Sequence, residues 1–202
     1  MKRLLLVLAA LVAFAGGIGV GIWLRADVVT LETGTLLDPP RAVAPMALDT
    51  THGDADPLGD DRWSLLFFGF TRCPDICPNT LTILSDAQQR IDEADVTPPR
   101  IVLISVDPDY DTVDRLADYV AYFGTDVVGA TGTEAAIAAV ARDLGIVYRR
   151  VPLDDDDYTM DHTSAVLLID PARQLRAVFS PPLRGDTLAS DLIAALSLTK
   201  DL

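Results

Sequence analysis

The stretch SLLFFGFTRCPDICPNTLTIL, Ser64–Leu84, carries a strand, a thiol-bearing turn and the start of a helix in 21 residues. Ser64–Phe70 is apolar without alternation, the pattern of a strand buried on both faces. Leu81, Leu84, Ala87 and Ile91 then recur by threes and fours, which predicts a helix from near Asn79 with one face on a sheet. Between them stand Cys73 and Cys77, the two cysteines of the chain, separated by three residues and each followed by proline. A strand-to-helix junction of this kind lies at the C-terminal edge of an α/β sheet, where such folds place their chemistry.

Outward from this junction the same two periods repeat. RIVLISV (Arg100–Val106) and AVLLID (Ala165–Asp170) are further buried-strand runs. Val113, Leu116, Ala117 and Val120, and then Ile137, Val140, Ala141 and Leu144, mark two helices. Asp111 or Thr112 is placed to cap the first of these, Thr131 stands three residues before Glu134 as a capping box for the second, and Gly145 ends it. LLIDPARQLRAVFS, Leu167–Ser180, is expected to form two strands joined by a turn at Asp170–Gln174, followed by a helix over about Thr187–Leu198. Strands and helices alternating and closing on a hairpin predict a thioredoxin-like α/β fold with a mixed central sheet over residues 62–202.

Two segments precede that domain. Leu4–Leu24 contains no charged residue and is long enough to cross roughly 30 Å of hydrocarbon as a helix, so residues 1–25 are expected to be a single membrane anchor. A cleaved signal peptide is the rival, but the run exceeds the usual apolar region and no A-x-A site follows Trp23. Lys2 and Arg3 before the run favour a cytoplasmic N-terminus, which puts the rest in the periplasm, on the outer side of an inner membrane. Residues 26–61 are turn-rich, with DPPRAVAP and THGDADPLGD, and are expected to be a tether leading to the domain, with a short edge hairpin around Leu36–Leu48.

The chain of 202 residues has a formal net charge of −14, with 30 acidic against 16 basic residues. With three of those bases at Lys2, Arg3 and Arg25, the part beyond the apolar run is more acidic still, which disfavours nucleic-acid binding.

The two thiols allow three readings: a structural staple, a redox pair or metal ligands. A disulfide closing so short a loop removes little unfolded-chain entropy. The spacing is within disulfide range in a turn, so a redox disulfide Cys73–Cys77 stays open. The metal reading gains from His162, 85 residues beyond Cys77. If the strand Ala165–Asp170 runs antiparallel to Ser64–Phe70, its N-terminal end lies at the thiol edge, and His162 precedes it by three residues. Two soft thiolates suit Cu(I) and an added imidazole suits Cu(II), while a structural zinc site would need a fourth protein ligand. Asp161 is a candidate to orient His162 or hold charge near a metal, and Asp75, between the cysteines, would oppose thiolate formation unless it points away. His52 is expected to be a solvated loop residue and the run Asp154–Asp157 a solvated loop with a lesser claim to partner docking.

Four blocks, FGFTRCPDICPNTL, LISVDPDYDTVDRLADYVAYF, VGATGTEAAIAAVARDLGI and DHTSAVLLIDP, together resemble the Sco/SenC family of copper-binding cytochrome c oxidase assembly proteins over about Leu36–Leu196. The resemblance implies a membrane-anchored thioredoxin-like domain that binds one copper through Cys73, Cys77 and His162 and serves the copper A subunit of cytochrome c oxidase. It implies a metallochaperone and not an enzyme, with a second copper chaperone or a thiol reductant as further partners. Arg72, and GDDRW in place of a Gly-Lys before the first core strand, depart from the family pattern without touching a proposed ligand. The alternative function is a thiol-disulfide oxidoreductase that keeps copper-site cysteines reduced, against which the C-x-x-x-C spacing and Ser164 at the usual cis-proline position count. A peroxiredoxin is disfavoured because Thr71 lies two residues, not three, before Cys73.

Overall fold

The computed structural model describes residues 31–154 and 157–197. The expected anchor at 1–25 lies outside the described residues, and no helix among the described residues is long and apolar enough to cross a membrane.

The buried runs become the centre of a seven-stranded mixed sheet. In chain order its strands are β1 (Gly34–Ala42), β2 (Asp49–Thr50), β3 (Ser64–Gly69), β4 (Arg100–Ser105), β5 (Val127–Thr131), β8 (Val166–Ile169) and β9 (Gln174–Phe179), arranged across the sheet as β1-β9-β8-β3-β4-β5-β2. β3, β4 and β5 are parallel, whereas β8 is antiparallel to β3 and β9 to β8. Every residue of β3, β4, β5 and β8 is buried, as expected of strands covered on both faces. β9 alternates buried and half-buried positions, the pattern of a strand nearer the rim.

Four helices complete the domain: α1 (Ile76–Glu93), α2 (Val113–Val120), α3 (Glu134–Leu144) and α4 (Gly185–Ser197). α1 buries Cys77, Leu81, Leu84, Ala87 and Ile91 along one stripe and packs against α4. Each fully buried leucine or isoleucine there contributes roughly 1.5–3 kcal/mol of transfer free energy. α2 is capped by Thr112, whose Oγ1 accepts from the Arg115 amide at 3.3 Å. Thr133, not Thr131, caps α3, accepting from the Ala136 amide at 3.2 Å, because Thr131 is still the last residue of β5. Gly145 ends α3 in the left-handed conformation, φ 72°, which a Cβ would strain.

The hairpin expected at Leu36–Leu48 does not form. Prolines cannot donate to a ladder, and the register of β1 against β9 shifts between Leu36 and Arg41, across Pro39 and Pro40. β1 therefore serves as one edge of the sheet and β2 pairs with β5 at the other, so the turn-rich segment contributes a strand to each rim.

A second, two-stranded sheet joins β6 (Tyr148–Pro152) to β7 (Tyr158–His162) in antiparallel register, Tyr148 opposite His162 and Pro152 opposite Tyr158. Asp154 and Asp157, the ends of the acidic run, follow β6 and precede β7, with the Leu153 amide bonding the Asp157 carbonyl at 2.9 Å, while 155 and 156 lie outside the described residues. β8 follows three residues after β7, with Val166 opposite Phe67. The end of β7 is thereby delivered to the edge of the sheet where β3 releases the thiol turn.

Candidate metal centre at the Cys73–Cys77 turn

The turn is short because the helix starts early. The Cys73 amide bonds back to the Phe70 carbonyl at 3.2 Å, and α1 begins at Ile76, with Asp75 at the cap position, three residues ahead of the expected Asn79. Pro78 sits in the first helical turn, where its missing N–H costs nothing. Cys77 thus lies inside the helix N-terminus, and its amide, one of the free donors of that first turn, points at Cys73 Sγ at 3.4 Å.

The two sulfurs divide one proton between them. Cys73 is half-buried, and a hydrogen bond from the Cys77 thiol, together with the Cys77 and Asp75 amides and nearby His162, lowers its pKa from the ordinary thiol value to about 5. Cys77 is fully buried, and the same sharing with Cys73, added to desolvation, pushes its own thiol far up. The pair is therefore a Cys73 thiolate beside a Cys77 thiol at neutral pH. Both are free cysteines.

Gly69, the last residue of β3, makes room for Cys77. A Cβ there would stand 2.9 Å from Cys77 Sγ and 3.1 Å from both Leu103 Cδ1 and Phe67 Cε1. We expect Gly69→Ala to lower stability by about 1–3 kcal/mol, the usual cost of overpacking, read as a reduced urea midpoint. An unchanged midpoint would show that the sulfur shifts freely.

His162 faces this pair across the edge. Its Nε2 is 3.6 Å from Cys77 Sγ, and its Nδ1 is 3.1 Å from the Thr163 carbonyl oxygen. A carbonyl only accepts, so Nδ1 carries a proton, and Nε2 is the nitrogen that faces the sulfur and is left free to bind a metal in the neutral ring. Phe67 and Phe70 meet the imidazole nearly edge-on, at centroid distances of 5.9 and 6.0 Å, and hold its plane. Among the described residues no three metal-ligating side chains already have their donor atoms gathered on one point. Cys77 and His162 face each other, while Cys73 Sγ is engaged with the Cys77 amide.

The remaining candidates are placed elsewhere. Asp161 points away from His162, as successive residues of a strand must, and its carboxylate pairs with Arg149 at 2.7 Å on the exposed side of the hairpin. The orienting role expected of Asp161 is taken by the Thr163 carbonyl. Asp75 is exposed and makes no side-chain cap; its backbone, not its carboxylate, acts on Cys73. His52 is exposed in a turn. Of the acidic run, Asp157 turns back to pair with Arg72 at 3.1 Å.

Sequence reasoning missed a buried polar layer beneath the turn. Asp111, fully buried, accepts from the Thr71 amide at 3.0 Å, the Thr71 hydroxyl at 2.5 Å and the Ser105 hydroxyl at 2.6 Å. Asp107, also fully buried, accepts from Tyr158 Oη at 2.9 Å and Arg72 Nη2 at 3.2 Å. The signal was present as VDPDYD at the end of β4, a cluster of carboxylates where a buried strand ends.

Fold and site together define a thioredoxin-like domain with a thiolate–thiol pair and an oriented imidazole at one sheet edge. Residues 48–197 match the SCO1/SenC family model, and the chain belongs to that family. It is similar to the human mitochondrial SCO1 homolog, 34% identical over 83% of this chain and 57% of that protein. It is also 30% identical to a putative copper-binding protein of Stutzerimonas stutzeri, over 78% of this chain and 79% of that one. The solved structure of Arabidopsis thaliana ScoI with copper bound superimposes with a TM-score of 0.74 at 31% identity, covering 77% of this chain and 98% of that chain. The chain spans little more than half the length of its human relative.

Proposed function

We propose that this chain is a membrane-anchored copper metallochaperone whose cargo is one copper ion held by Cys73, Cys77 and His162. The observation that carries the reading is the 3.6 Å approach of Cys77 Sγ and His162 Nε2, with Nδ1 already committed to a carbonyl. Sulfur and nitrogen bound to one ion at about 2.3 and 2.0 Å stand about 3.5 Å apart at a near-tetrahedral angle, so this pair fits a shared metal. Cys73 completes the set by turning its thiolate from the Cys77 amide to the ion. Two thiolates and one imidazole suit Cu(I) and Cu(II) and leave a side open for exchange with a partner's ligands. The copper bound by Arabidopsis ScoI and the copper-binding description of the Stutzerimonas relative support the choice of metal.

The partner in this reading is the copper A subunit of cytochrome c oxidase, with a second copper chaperone or a thiol reductant acting upstream. The apolar run Leu4–Leu24 anchors the chain in the inner membrane, and the domain faces the periplasm.

A second reading, a thiol-disulfide oxidoreductase, is favoured by the Cys73 thiolate, lowered to about 5, which is a competent nucleophile towards a partner disulfide. The two separate on one assay. The copper-free chain and the copper-loaded chain are each mixed with a copper A domain in its disulfide and dithiol forms. Copper passing to the dithiol form supports the chaperone. Rapid disulfide reduction by a chain with negligible copper affinity replaces it with the oxidoreductase.

The protonation pattern makes a further prediction. Ligands bind metal deprotonated, and at neutral pH Cys73 has already lost its proton while Cys77 retains its own. Copper loading is expected to release about one proton per chain from the thiol pair at pH 7, rising towards two as the pH falls below about 5. Calorimetry in buffers of different ionisation enthalpy measures this, and two protons released at pH 7 would contradict the shared-proton pair.

A further inference from the structure

β7 carries His162, yet the β6–β7 ribbon has no hydrogen-bonded place in the main sheet. A two-stranded ribbon is marginal alone, so its position against the thiol turn is set by what docks it. Tyr148 of β6 ties it to Glu134 at 2.7 Å, and the polar connection that starts from the thiol turn is Arg72, the residue immediately before Cys73. Its guanidinium lies between the rings of Tyr110, 4.6 Å to the centroid, and Tyr158, 4.3 Å. Nη2 reaches buried Asp107 at 3.2 Å and Nη1 reaches Asp157 at 3.1 Å. Tyr158 donates its hydroxyl to the same Asp107 at 2.9 Å. Arg150 of β6 covers the Tyr158 ring at 4.0 Å and is tied to Asp109 at 2.5 Å.

Three segments therefore converge on one side chain: the thiol turn through Arg72 itself, the loop after β4 through Asp107 and Tyr110, and the ribbon through Asp157 and Tyr158. Tyr158 and His162 share one face of β7, four residues apart. A clamp on Tyr158 thus fixes the angle at which His162 meets Cys77. We propose that Arg72 is a positioning residue that sets the His162–Cys77 geometry by clamping the β6–β7 ribbon to the thiol turn. The ribbon-docking part stands on the contacts alone, while its consequence for copper rests on the metallochaperone reading. A planar, always-charged guanidinium is required because stacking and two carboxylate contacts act together; an ammonium supplies charge without the stack.

The test uses the full-length chain in mild detergent, with Arg72→Gln, Arg72→Lys and Tyr158→Leu. In the copper-free state the His162 ring protons, shifted by Phe67 and Phe70, are followed by NMR. Both Arg72→Gln and Tyr158→Leu are expected to move them towards free-imidazole positions while core methyl signals of β3 and β4 stay in place, with Arg72→Lys in between. With Cu(II) as the probe, Arg72→Gln is expected to weaken binding about 10–100-fold, the range for losing a group that orients a ligand, and to shift the thiolate-to-copper charge-transfer band. Unmoved His162 signals in both Arg72→Gln and Tyr158→Leu overturn the proposal. Moved signals in a chain whose wild type binds no copper uphold the clamp and overturn the metallochaperone reading instead.

Discussion

Replacing His162 with alanine is expected to lower Cu(II) affinity by more than about 100-fold, beyond the range seen when only a supporting partner of a ligand is lost. The loss should be selective for oxidation state. Cu(I) is satisfied by two soft thiolates, and Cys73 and Cys77 remain, whereas Cu(II) depends on the imidazole nitrogen. The fold should survive, because His162 is only partly buried and lies at the end of a ribbon outside the main sheet. What it gives up is two edge contacts with Phe67 and Phe70, worth about 0.5–1.5 kcal/mol each. Competition titrations with chelators for each oxidation state measure the two affinities, and equal losses for Cu(I) and Cu(II) would contradict the division of roles.

Asp111→Ala is expected to be the most damaging change to stability near the site. It leaves the Thr71 amide, the Thr71 hydroxyl and the Ser105 hydroxyl facing a position of 0% exposure without an acceptor. Each unsatisfied buried donor costs about 1–3 kcal/mol, so three of them cost roughly 3–9 kcal/mol, a large share of the 5–15 kcal/mol that holds a typical domain. Asp111→Asn keeps one oxygen acceptor but turns an N–H towards the same donors, so an intermediate loss is expected. Thr71 lies two residues before Cys73, so the same change frees the start of the thiol turn and should weaken copper binding at temperatures where the domain is still folded. Urea unfolding followed by tryptophan fluorescence reads the stability. A loss under about 1 kcal/mol would mean that water replaces the carboxylate.

The parts legible in the sequence are those written in local patterns. The continuous runs at Ser64–Phe70, Arg100–Val106 and Ala165–Asp170 read as buried strands, and the antiparallel pairing of the first with the last brings His162 to the thiols by topology. The ribbon is hidden because all but one residue of Tyr148–Pro152 and Tyr158–His162 are half-buried or exposed; their polar residues weaken the period of two, and the acidic run between them has the composition of any solvated loop. Asp111 and Thr112 are equally good caps by residue type. Tertiary context separated them, Thr112 taking the helix amide and Asp111 turning inward to Thr71 and Ser105. Arg72 was seen only as a departure from a family pattern, because its partners at 107, 110, 157 and 158 are assembled by the fold and no local spacing announces them. Asp161 is next to His162 in sequence, yet alternation along a strand sends neighbours to opposite faces.

The central claim is that Cys73, Cys77 and His162 bind one copper together, and X-ray absorption at the copper edge of the loaded full-length chain tests it most directly. The predicted first shell is two sulfurs and one imidazole nitrogen, losing one sulfur in Cys73→Ser and the imidazole signature in His162→Ala. A first shell without sulfur, or an imidazole signature that persists in His162→Ala, would contradict it.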